Sequence, residues 1–462
     1  MVGYVVAKLE SGEVTPLDTL DALEARISQV DGQINALPTL CFERARDAAS
    51  ALMNKSSVER GVLQGLPVPI KDLDDVGGVR CTYGSKVFEN HVPEKSCTLV
   101  ETLEGNGAVI YAKSNTPEFG AGGNTFNDVL GTTRNPHNLA LTPGGSSGGA
   151  AAALASGTAW LAQGSDLGGS LRTPASFCGV TSLRPSPGLI ATGPKDLPFE
   201  VQAQCGPMAR DVNDLSLFAD AMTGIDTRTG VVKSTAPDCF REAASRPVKP
   251  LRVAFSEDLG VTSVNAEVAA VCQQFVDMLS HDGVDIDSAH PDFTGFEAAF
   301  DVPRALGYAA SEGDEIDQTR ALMKPEVVWN IEHGLSLDGD AIRAGMRAHG
   351  TVFNNAAAFM QDYDLLVCPA ANVLPFPVEE RYVGFGAGEP WSEYFKWLKI
   401  AYAITTTSLP VITIPAGRSA SGLPVGVQLI GKPHGEAALF SVAAYLESLV
   451  GWDSSPIEPV GA

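Results

Sequence analysis

Apolar side chains recur at helical spacing near the start of the chain. Intervals of three and four residues place one set on a single helix face: Leu17, Leu20, Leu23, Ile27 and Val30. The preceding Thr15-Pro16 pair predicts the start of this helix, because threonine is a good N-cap and proline suits the first helical position. Similar patterns predict helices over 42–53, 96–105, 215–222, 265–279 and 436–446.

Short apolar runs alternate with these helices. Runs that are rich in β-branched residues and bounded by glycine or proline predict strands. The predicted strands cover 68–73, 108–113, 251–255, 365–369, 409–417 and 425–430. The turn at 422–424 joins the last two and predicts a hairpin. Together these elements predict a mixed α/β fold.

Residues 290–400 carry the weakest pattern, and one feature stands out in them. Trp391, Tyr394, Phe395 and Leu398 are spaced as one face of a helix. They pack into the core or a subunit interface, or they form an aromatic lid over a substrate with the glycines of 384–388 as its hinge. The pattern leaves both interpretations open.

The most distinctive stretch is 142–174, where two glycine-rich segments flank an alanine-rich run. The run, Ala150–Ala155, favours a helix that can pack closely because its side chains are small. Glycines in the flanking turns allow a close approach of the backbone. Serines in such turns place hydroxyls beside free backbone N–H groups, which suits a nucleophile next to an oxyanion hole.

Two other interpretations of this stretch compete with that one. Residues 144–148 match the G-x-S-x-G nucleophile elbow, but loop-like residues precede them where the elbow needs a strand. A phosphate cradle would need G-x-x-x-x-G-K-[ST] or a strand followed by G-x-G-x-x-G, and neither is present.

Lys71 lies within the apolar run 68–73. A buried lysine is costly unless it is paired or neutral, because loss of hydration disfavours the charged form. Taken alone, the simplest interpretation is a lysine on an edge strand that points to solvent.

The stretch as a whole resembles the signature of the amidase-signature hydrolases. The matching features are GGSSGG at 144–149, the alanine-rich run and GSDLGGSLRTP at 164–174. The 24-residue interval between Ser146 and Ser170 matches that family, and the segment around Lys71 matches its G-x-P-x-x-[IV]-K-D segment. The chain departs from the pattern at Arg184, where the family usually has lysine.

This resemblance implies a Ser–cis-Ser–Lys triad with Ser170 as nucleophile, Ser146 as bridge and Lys71 as base. It also implies a cis peptide bond between Gly145 and Ser146. The pKa of a lysine side chain is ordinarily about 10.4, so a buried, partly apolar site must hold the amine neutral if it is to act as a base near neutral pH.

The resemblance also implies roles for neighbouring residues. The backbone N–H groups of the loop around Ser170 would form the oxyanion hole, with donors at Leu167, Gly168, Gly169 and Ser170 itself. Supporting side chains would be Asp166, Arg172 and Ser147. Substrate-contacting residues are expected at Asn115, Phe119, Gly145, Trp391 and Phe395.

The resemblance implies the amidase-signature fold, a mixed central β-sheet sandwiched between helices. We expect one amidase domain over 1–462. Within it lie a signature core at about 61–220, a variable substrate-binding region at about 290–400, and C-terminal strands and a helix at about 405–450.

Composition narrows the possible partners. The net charge of −23 disfavours binding to nucleic acid or to anionic membranes, since both repel an acidic surface. The eight cysteines contain no C-x-x-C pair, and no metal-binding motif is present. The first residues lack the apolar segment of a signal peptide, so a cytoplasmic location is expected.

The expected activity is hydrolysis of a small amide or carbamate through an acyl-enzyme, without a cofactor, by a monomer or homodimer. The aromatic segment near Trp391 favours a placement beside the bacterial aryl-acylamidase and urethanase group. Two alternatives stay open. One is the amidase component of a glutamine-dependent amidotransferase that acts with a partner, and the other is a catalytically silent scaffold.

Overall fold

The computed structural model describes residues 2–224, 226, 228–232, 239–384 and 391–461. Its strands are β1 (Thr39–Leu40), β2 (Pro67–Lys71), β3 (Val109–Ser114), β4 (Phe126–Asn127), β5 (Gly131–Thr132), β6 (Ala162–Asp166), β7 (Thr181–Arg184), β8 (Gln204–Ala209), β9 (Arg252–Phe255), β10 (Asp285–Ser288), β11 (Leu365–Pro369), β12 (Val411–Arg418) and β13 (Pro424–Ile430). Its first eight helices are α1 (Val2–Ser11), α2 (Pro16–Ile34), α3 (Phe42–Met53), α4 (Thr98–Gly105), α5 (Gly148–Ser156), α6 (Arg172–Cys178), α7 (Val212–Met222) and α8 (Phe240–Ala244). The others are α9 (Ala266–His281), α10 (Phe296–Glu312), α11 (Ile316–Thr319), α12 (Pro325–Ser336), α13 (Gly339–Phe359), α14 (Lys399–Thr405) and α15 (Glu436–Val450).

Eight strands form a large mixed sheet in the order β10-β9-β11-β13-β12-β7-β8-β6. The β10/β9 and β9/β11 pairs are parallel, and the remaining pairs are antiparallel. The predicted hairpin at the C-terminal end is confirmed as β12 and β13.

Helices cover both faces of this sheet. Ile412 and Ile414 of β12 share one hydrophobic cluster with residues of α9 and α15. Val411, the neighbour of Ile412, belongs to a different cluster that includes residues of α13 and α14. Because successive side chains of a strand point to opposite faces, the two clusters lie on the two sides of the sheet. The expected sheet sandwiched between helices is confirmed.

A small three-stranded sheet, β1-β3-β2, carries Lys71 at the end of its edge strand β2. Proline cannot donate to a sheet and is confined largely to edge strands, which accounts for Pro67 and Pro69 in β2. The strand packs against β6, the edge of the large sheet. The backbone N–H of Lys71 donates to Gln163 Oε1 of β6 at 2.9 Å, so it has a partner although no further strand follows.

The alanine-rich helix α5 is buried along all nine of its residues. Its start passes close to other backbone segments. A Cβ added to Gly149 would lie 2.4 Å from the backbone nitrogen of Asn115 and 2.7 Å from the carbonyl oxygen of Ala36. The prediction of a tightly packed helix in the alanine-rich run is therefore confirmed.

Several sequence-based predictions need correction. The run 164–172 was expected to be a turn throughout, but its first residues belong to β6, and strands β7 and β8 were not foreseen. The weakly patterned region contains the long helices α10, α12 and α13. Residues 391–398 form two 3₁₀ turns, Trp391–Glu393 and Lys396–Leu398, instead of one helix face. The glycines proposed as a hinge lie outside the described residues from 385 onward.

Across the described part of the chain, every helix is too short or too polar to span a bilayer.

The close approach at Gly149 can be tested against an exposed glycine. Gly149→Ala should destabilise the protein by about 1–3 kcal/mol, because backbone atoms must move to admit the new methyl group. Gly32→Ala, in an open position within α2, should be neutral or stabilising by about 0.5–1 kcal/mol. Urea unfolding of both variants measures the difference, and equal midpoints would contradict the packing described here.

Candidate active site

A cavity of about 410 Å³ opens beside the junction of the two sheets. Part of its wall comes from the glycine-rich loops, part from the segments that follow β2 and β3, and part from α10. The lining residues of the first two parts are Leu73, Tyr83, Phe119, Gly120, Ser146, Ser165, Asp166, Leu167 and Ser170. Within the described residues, no group of three or more His, Cys, Asp or Glu side chains is placed to hold a metal ion.

Lys71 lies behind this wall with no solvent exposure. Its Nζ lies 2.7 Å from Ser146 Oγ, 2.9 Å from Ser147 Oγ and 3.0 Å from Ser165 Oγ. Burial lowers the pKa of Lys71 to about 8, because an ammonium loses its hydration there. The interpretation of Lys71 as an edge-strand lysine that points to solvent is wrong. The edge of β2 that does not pair with β3 is covered by β6.

Ser146 is almost fully buried but lines the cavity, and the Gly145–Ser146 peptide bond is cis, as the resemblance implied. Gly145 passes against another backbone segment, and a Cβ there would lie 2.9 Å from the carbonyl carbon of Gly123. Gly145 is thus needed for close packing and does not line the cavity. Its expected substrate contact is not supported.

Ser147 and Ser165 hold each other in place. The Ser147 hydroxyl donates to the Ser165 carbonyl oxygen at 3.1 Å and accepts from the Ser165 N–H at 3.2 Å. Ser147, expected as a supporting side chain, thus lies between Lys71 and Ser165 in this network. Sequence reasoning missed Ser165, although it stands inside the GSDLGGS motif. Its only signal was a hydroxyl residue one position before Asp166.

Ser170 lines the same cavity as Ser146 and is held through its backbone, because the Ser147 N–H donates to the Ser170 carbonyl oxygen at 3.2 Å. Among the described residues, no hydrogen bond joins the Ser170 and Ser146 hydroxyls. The structure thus brings the three expected triad residues together through a Lys71–Ser146 contact and a shared cavity.

The loop before Ser170 offers backbone donors, with one correction. Within the described residues, the N–H groups of Leu167, Gly168 and Ser170 donate to no protein acceptor. The Gly169 N–H instead donates to Asp166 Oδ1 at 3.0 Å. The prediction that Gly169 belongs to the oxyanion hole is therefore not supported, since a carboxylate already occupies its donor.

Asp166 and Arg172 form a fully buried, bidentate ion pair across this loop. Arg172 Nε lies 3.0 Å from Asp166 Oδ2, and Arg172 Nη2 lies 2.8 Å from Asp166 Oδ1. Burial alone would raise the pKa of Asp166, but Arg172 and the nearby Arg184 hold it well below its ordinary value. Arg184 Nη1 also donates to the Asp166 carbonyl oxygen at 3.0 Å, so this departure from the family pattern keeps a cation at the site.

Of the expected substrate-contacting residues, only Phe119 lines the cavity among those the structure describes. Asn115 is fully buried and satisfies its side chain within its own loops, donating to Thr133 Oγ1 at 2.9 Å and accepting from the Thr116 N–H at 3.0 Å. Phe395 lies behind Arg304, whose guanidinium is 4.3 Å from its ring centre. The side chain of Trp391 lies outside the described residues.

Helix α10, which was not predicted as a helix although it lies in the expected substrate-binding region 290–400, supplies another wall of the cavity. The contributing residues recur at helical spacing: Pro303, Arg304, Gly307, Tyr308, Ser311 and Glu312. This face is mixed in polarity, so hydrophobic periodicity alone could not reveal it. Glu200 and Ala203, in the segment before β8, complete the lining.

The site can be compared with known proteins. The sequence profile described as Amidase matches residues 18–440. The chain belongs to the amidase family. An acylamidase from Rhodococcus erythropolis is 33% identical over 98% of this chain and 96% of its own length. The amidase-signature resemblance is thus confirmed, and this amidase is a hydrolase of carbon–nitrogen bonds other than peptide bonds.

Two further relatives widen the comparison. A glutamyl-tRNA(Gln) amidotransferase subunit from Roseiflexus sp. (strain RS-1) is 30% identical over 96% of the amidase chain and 95% of its own length. The solved structure of 6-aminohexanoate cyclic dimer hydrolase complexed with substrate has a TM-score of 0.88 and 26% identity, covering 97% of this chain and 96% of that chain.

The buried ion pair should matter far more for stability than an exposed one. Arg172→Met leaves the Asp166 carboxylate without its bidentate partner and should destabilise the amidase by about 3–5 kcal/mol. Arg46→Met, which breaks the exposed pairs to Asp21 and Glu24, should cost about 0–1 kcal/mol. Denaturant unfolding of both variants measures the contrast, and similar losses would refute it.

Proposed function

We propose that the amidase cleaves amide or carbamate bonds of small aromatic or hydrophobic substrates, with Ser170 as nucleophile, Ser146 as proton relay and Lys71 as base. One observation carries the proposal. A buried amine with a lowered pKa lies 2.7 Å from a serine hydroxyl that shares a cavity with a second serine. A hydroxyl becomes a useful nucleophile when a positioned base takes its proton.

The hydrogen bonds favour Ser146 over Ser147 as the relay. The Ser147 hydroxyl already donates its proton to the Ser165 carbonyl oxygen. Within the described residues, Lys71 is the one protein partner of the Ser146 hydroxyl. Ser146 can therefore give its proton to Lys71 and take one from Ser170, while Ser147 holds the amine in position.

The chemical steps then follow. Ser170 Oγ forms a bond to the substrate carbonyl carbon, its proton moves to Ser146, and the proton of Ser146 moves to Lys71. The carbonyl electron pair moves to oxygen, where the N–H groups of Leu167, Gly168 and Ser170 can stabilise the negative charge. When the pair returns, the bond to the leaving group breaks, and that group receives the proton from Lys71 through Ser146. Water then attacks the acyl carbon and gives a proton to Lys71 through Ser146. The bond between the acyl carbon and Ser170 Oγ breaks, and Ser170 takes back that proton, which releases the product and restores the enzyme.

The cavity supports a small substrate with an apolar or aromatic part. Its volume of about 410 Å³ lies within the range typical of small-molecule sites. Aromatic rings from Tyr83, Phe119 and Tyr308 and the side chains of Leu73 and Leu167 line it. We further propose that the chain acts as one amidase domain, in which the 290–400 region supplies α10 to this wall.

A second candidate is an amidotransferase component that delivers ammonia to a partner protein. It is favoured by the 30% identity to the glutamyl-tRNA(Gln) amidotransferase subunit over nearly the whole chain. Co-purification with a second protein, together with glutamine hydrolysis that depends on that protein, would favour this function over independent amide hydrolysis.

The nucleophile can be tested with benzoyl p-nitroanilide and a p-nitrophenyl carbamate. Ser170→Ala should lower turnover of both by at least ~10³-fold, because it removes the hydroxyl that attacks the carbonyl carbon. Ser448→Ala, on the exposed side of α15, is the matched control and should retain the wild-type rate. Covalent labelling by a fluorophosphonate should locate to Ser170, and labelling elsewhere would exclude this nucleophile.

The base predicts a pH dependence. The amine accepts a proton only when neutral, so kcat/KM should fall about tenfold per pH unit below the Lys71 pKa of about 8 and level off above it. Lys71→Ala should lose both the activity and this acid limb. A profile that is flat from about pH 6 to about pH 9 would rule out Lys71 as the base.

A further inference from the structure

Gln163 of β6 connects Lys71 to a carboxylate that lies outside the serine network. The Gln163 side chain is fully buried. Its Oε1 accepts from the Lys71 backbone N–H at 2.9 Å, and its Nε2 donates to Asp74 Oδ2 at 3.0 Å. Nε2 also donates to the Gly164 carbonyl oxygen at 3.0 Å, so the amide has one orientation that satisfies all three contacts.

Asp74 is held from several directions in the turn that follows β2. Its backbone N–H donates to the Lys71 carbonyl oxygen at 3.1 Å. The Cys205 thiol lies 3.8 Å from Asp74 Oδ1, and Lys113 Nζ donates to the Asp74 carbonyl oxygen. The half-buried carboxylate is therefore fixed close to the strand that carries the base.

We propose that Asp74, held by Gln163, is a positioning residue whose negative charge sets the protonation equilibrium of Lys71; this inference rests on the proposed role of Lys71 as base. The polar neighbours of Lys71 Nζ are three neutral hydroxyls. When Lys71 takes a proton during the reaction, a buried ammonium forms, and a carboxylate close by stabilises it.

The balance of effects at Lys71 points to Asp74. Burial lowers the pKa of Lys71, and of the groups that raise it again Asp74 has the largest effect, followed by Cys205 and Asp166. Asp166 is already neutralised by its bidentate pair with Arg172. Burial raises the pKa of the Cys205 thiol well above its ordinary value, so this thiol stays uncharged. Of the three, Asp74 is therefore the group that we infer to act on Lys71 as an uncompensated negative charge.

The ionisation of Asp74 itself depends on its surroundings. Burial has the largest effect and raises the pKa of Asp74 above its ordinary value, while Lys113, the Gln163 hydrogen bond and Lys71 counteract part of this rise. The buried Lys113 keeps a raised pKa and stays positive, because several acidic neighbours outweigh its burial. The other titratable groups that interact with Lys71, Asp74 or Lys113 are Cys41, Asp72, Cys81, Cys97, Lys195, Tyr83 and Asp166. The neighbouring Asp75 acts on Cys81, Tyr83 and Cys97 instead.

The test uses Asp74→Asn in the full-length chain, with Asp75→Asn as the matched control. Asp75 is the adjacent carboxylate, but it accepts from the Tyr83 hydroxyl at 2.7 Å and is not among the charges that act on Lys71. The rate of labelling of Ser170 by a fluorophosphonate is measured from about pH 6 to about pH 10, because this readout requires the base but no knowledge of the natural substrate.

Removing the negative charge should favour the neutral amine. The acid limb of Asp74→Asn should therefore move to lower pH by at least about half a unit, while that of Asp75→Asn stays in place. Gln163→Met offers a second variant if Asp74→Asn does not fold. It removes a hydrogen bond that favours the ionised carboxylate, so its acid limb should move in the same direction by less.

The outcomes separate this inference from the proposed function. An acid limb that stays in place in both variants, with or without a uniform fall in rate, means that Asp74 only supports the structure and overturns the inference. Retention of labelling by Lys71→Ala would instead remove the base on which both proposals rest. A shift in Asp75→Asn equal to that in Asp74→Asn would show a general charge effect and would also overturn the specific role of Asp74.

Discussion

The loop that carries Ser170 depends on the ion pair between Asp166 and Arg172, because the two residues lie on either side of Ser170 in the chain and close the loop on itself. All five N–H donors of the Arg172 guanidinium have acceptors: two carboxylate oxygens of Asp166, the Ala401 carbonyl, Gln428 Oε1 and Thr405 Oγ1. These acceptors come from β6, α14 and β13. The Arg172 side chain thus fixes the loop that carries Ser170 to elements that are distant in the sequence, and Asp166 also accepts from the Gly169 and Leu171 N–H groups of that loop.

The sequence correctly predicted those helices and strands whose start, end or conformation is determined by residues close together in the chain. The start of α2 was foreseen because Thr15 and Pro16 determine a helix start by themselves, and Thr15 and Asp18 form a capping box there. The hairpin β12–β13 was foreseen because its residues favour strands. Strand β6 was missed because glycine and serine, here Gly164 and Ser165, have little preference for strands. These residues adopt strand structure because they pair with β8. The conformation of this segment is therefore determined by pairing with a distant strand and not by its own residues.

The same distinction applies to the site. The proposed reacting groups came from the motif, because it places particular side chains at fixed intervals, and the structure brings those side chains together. The cavity wall could not be inferred, since α10 reaches it through packing that no local pattern encodes. Asn115 shows the converse: a polar residue in a distinctive loop proved to satisfy the hydrogen bonds of that loop. Ser165 and Gln163 were missed because their importance lies in their hydrogen bonds with Lys71, which belongs to the neighbouring strand β2 and is distant in the sequence.

The cavity is built from two separate parts of the chain, and this separation has an evolutionary consequence. Residues between 71 and 174 supply the Lys71 network and the loop that carries Ser170, whereas one face of α10 supplies much of the remaining wall. Gly307, Tyr308 and Ser311 make no hydrogen bond to the Lys71 network among the described residues. Mutations at these positions can change the shape of the cavity while leaving the hydrogen bonds of Lys71 intact. The architecture therefore allows specificity to diverge among descendants through drift in a single helix, with the chemistry inherited unchanged.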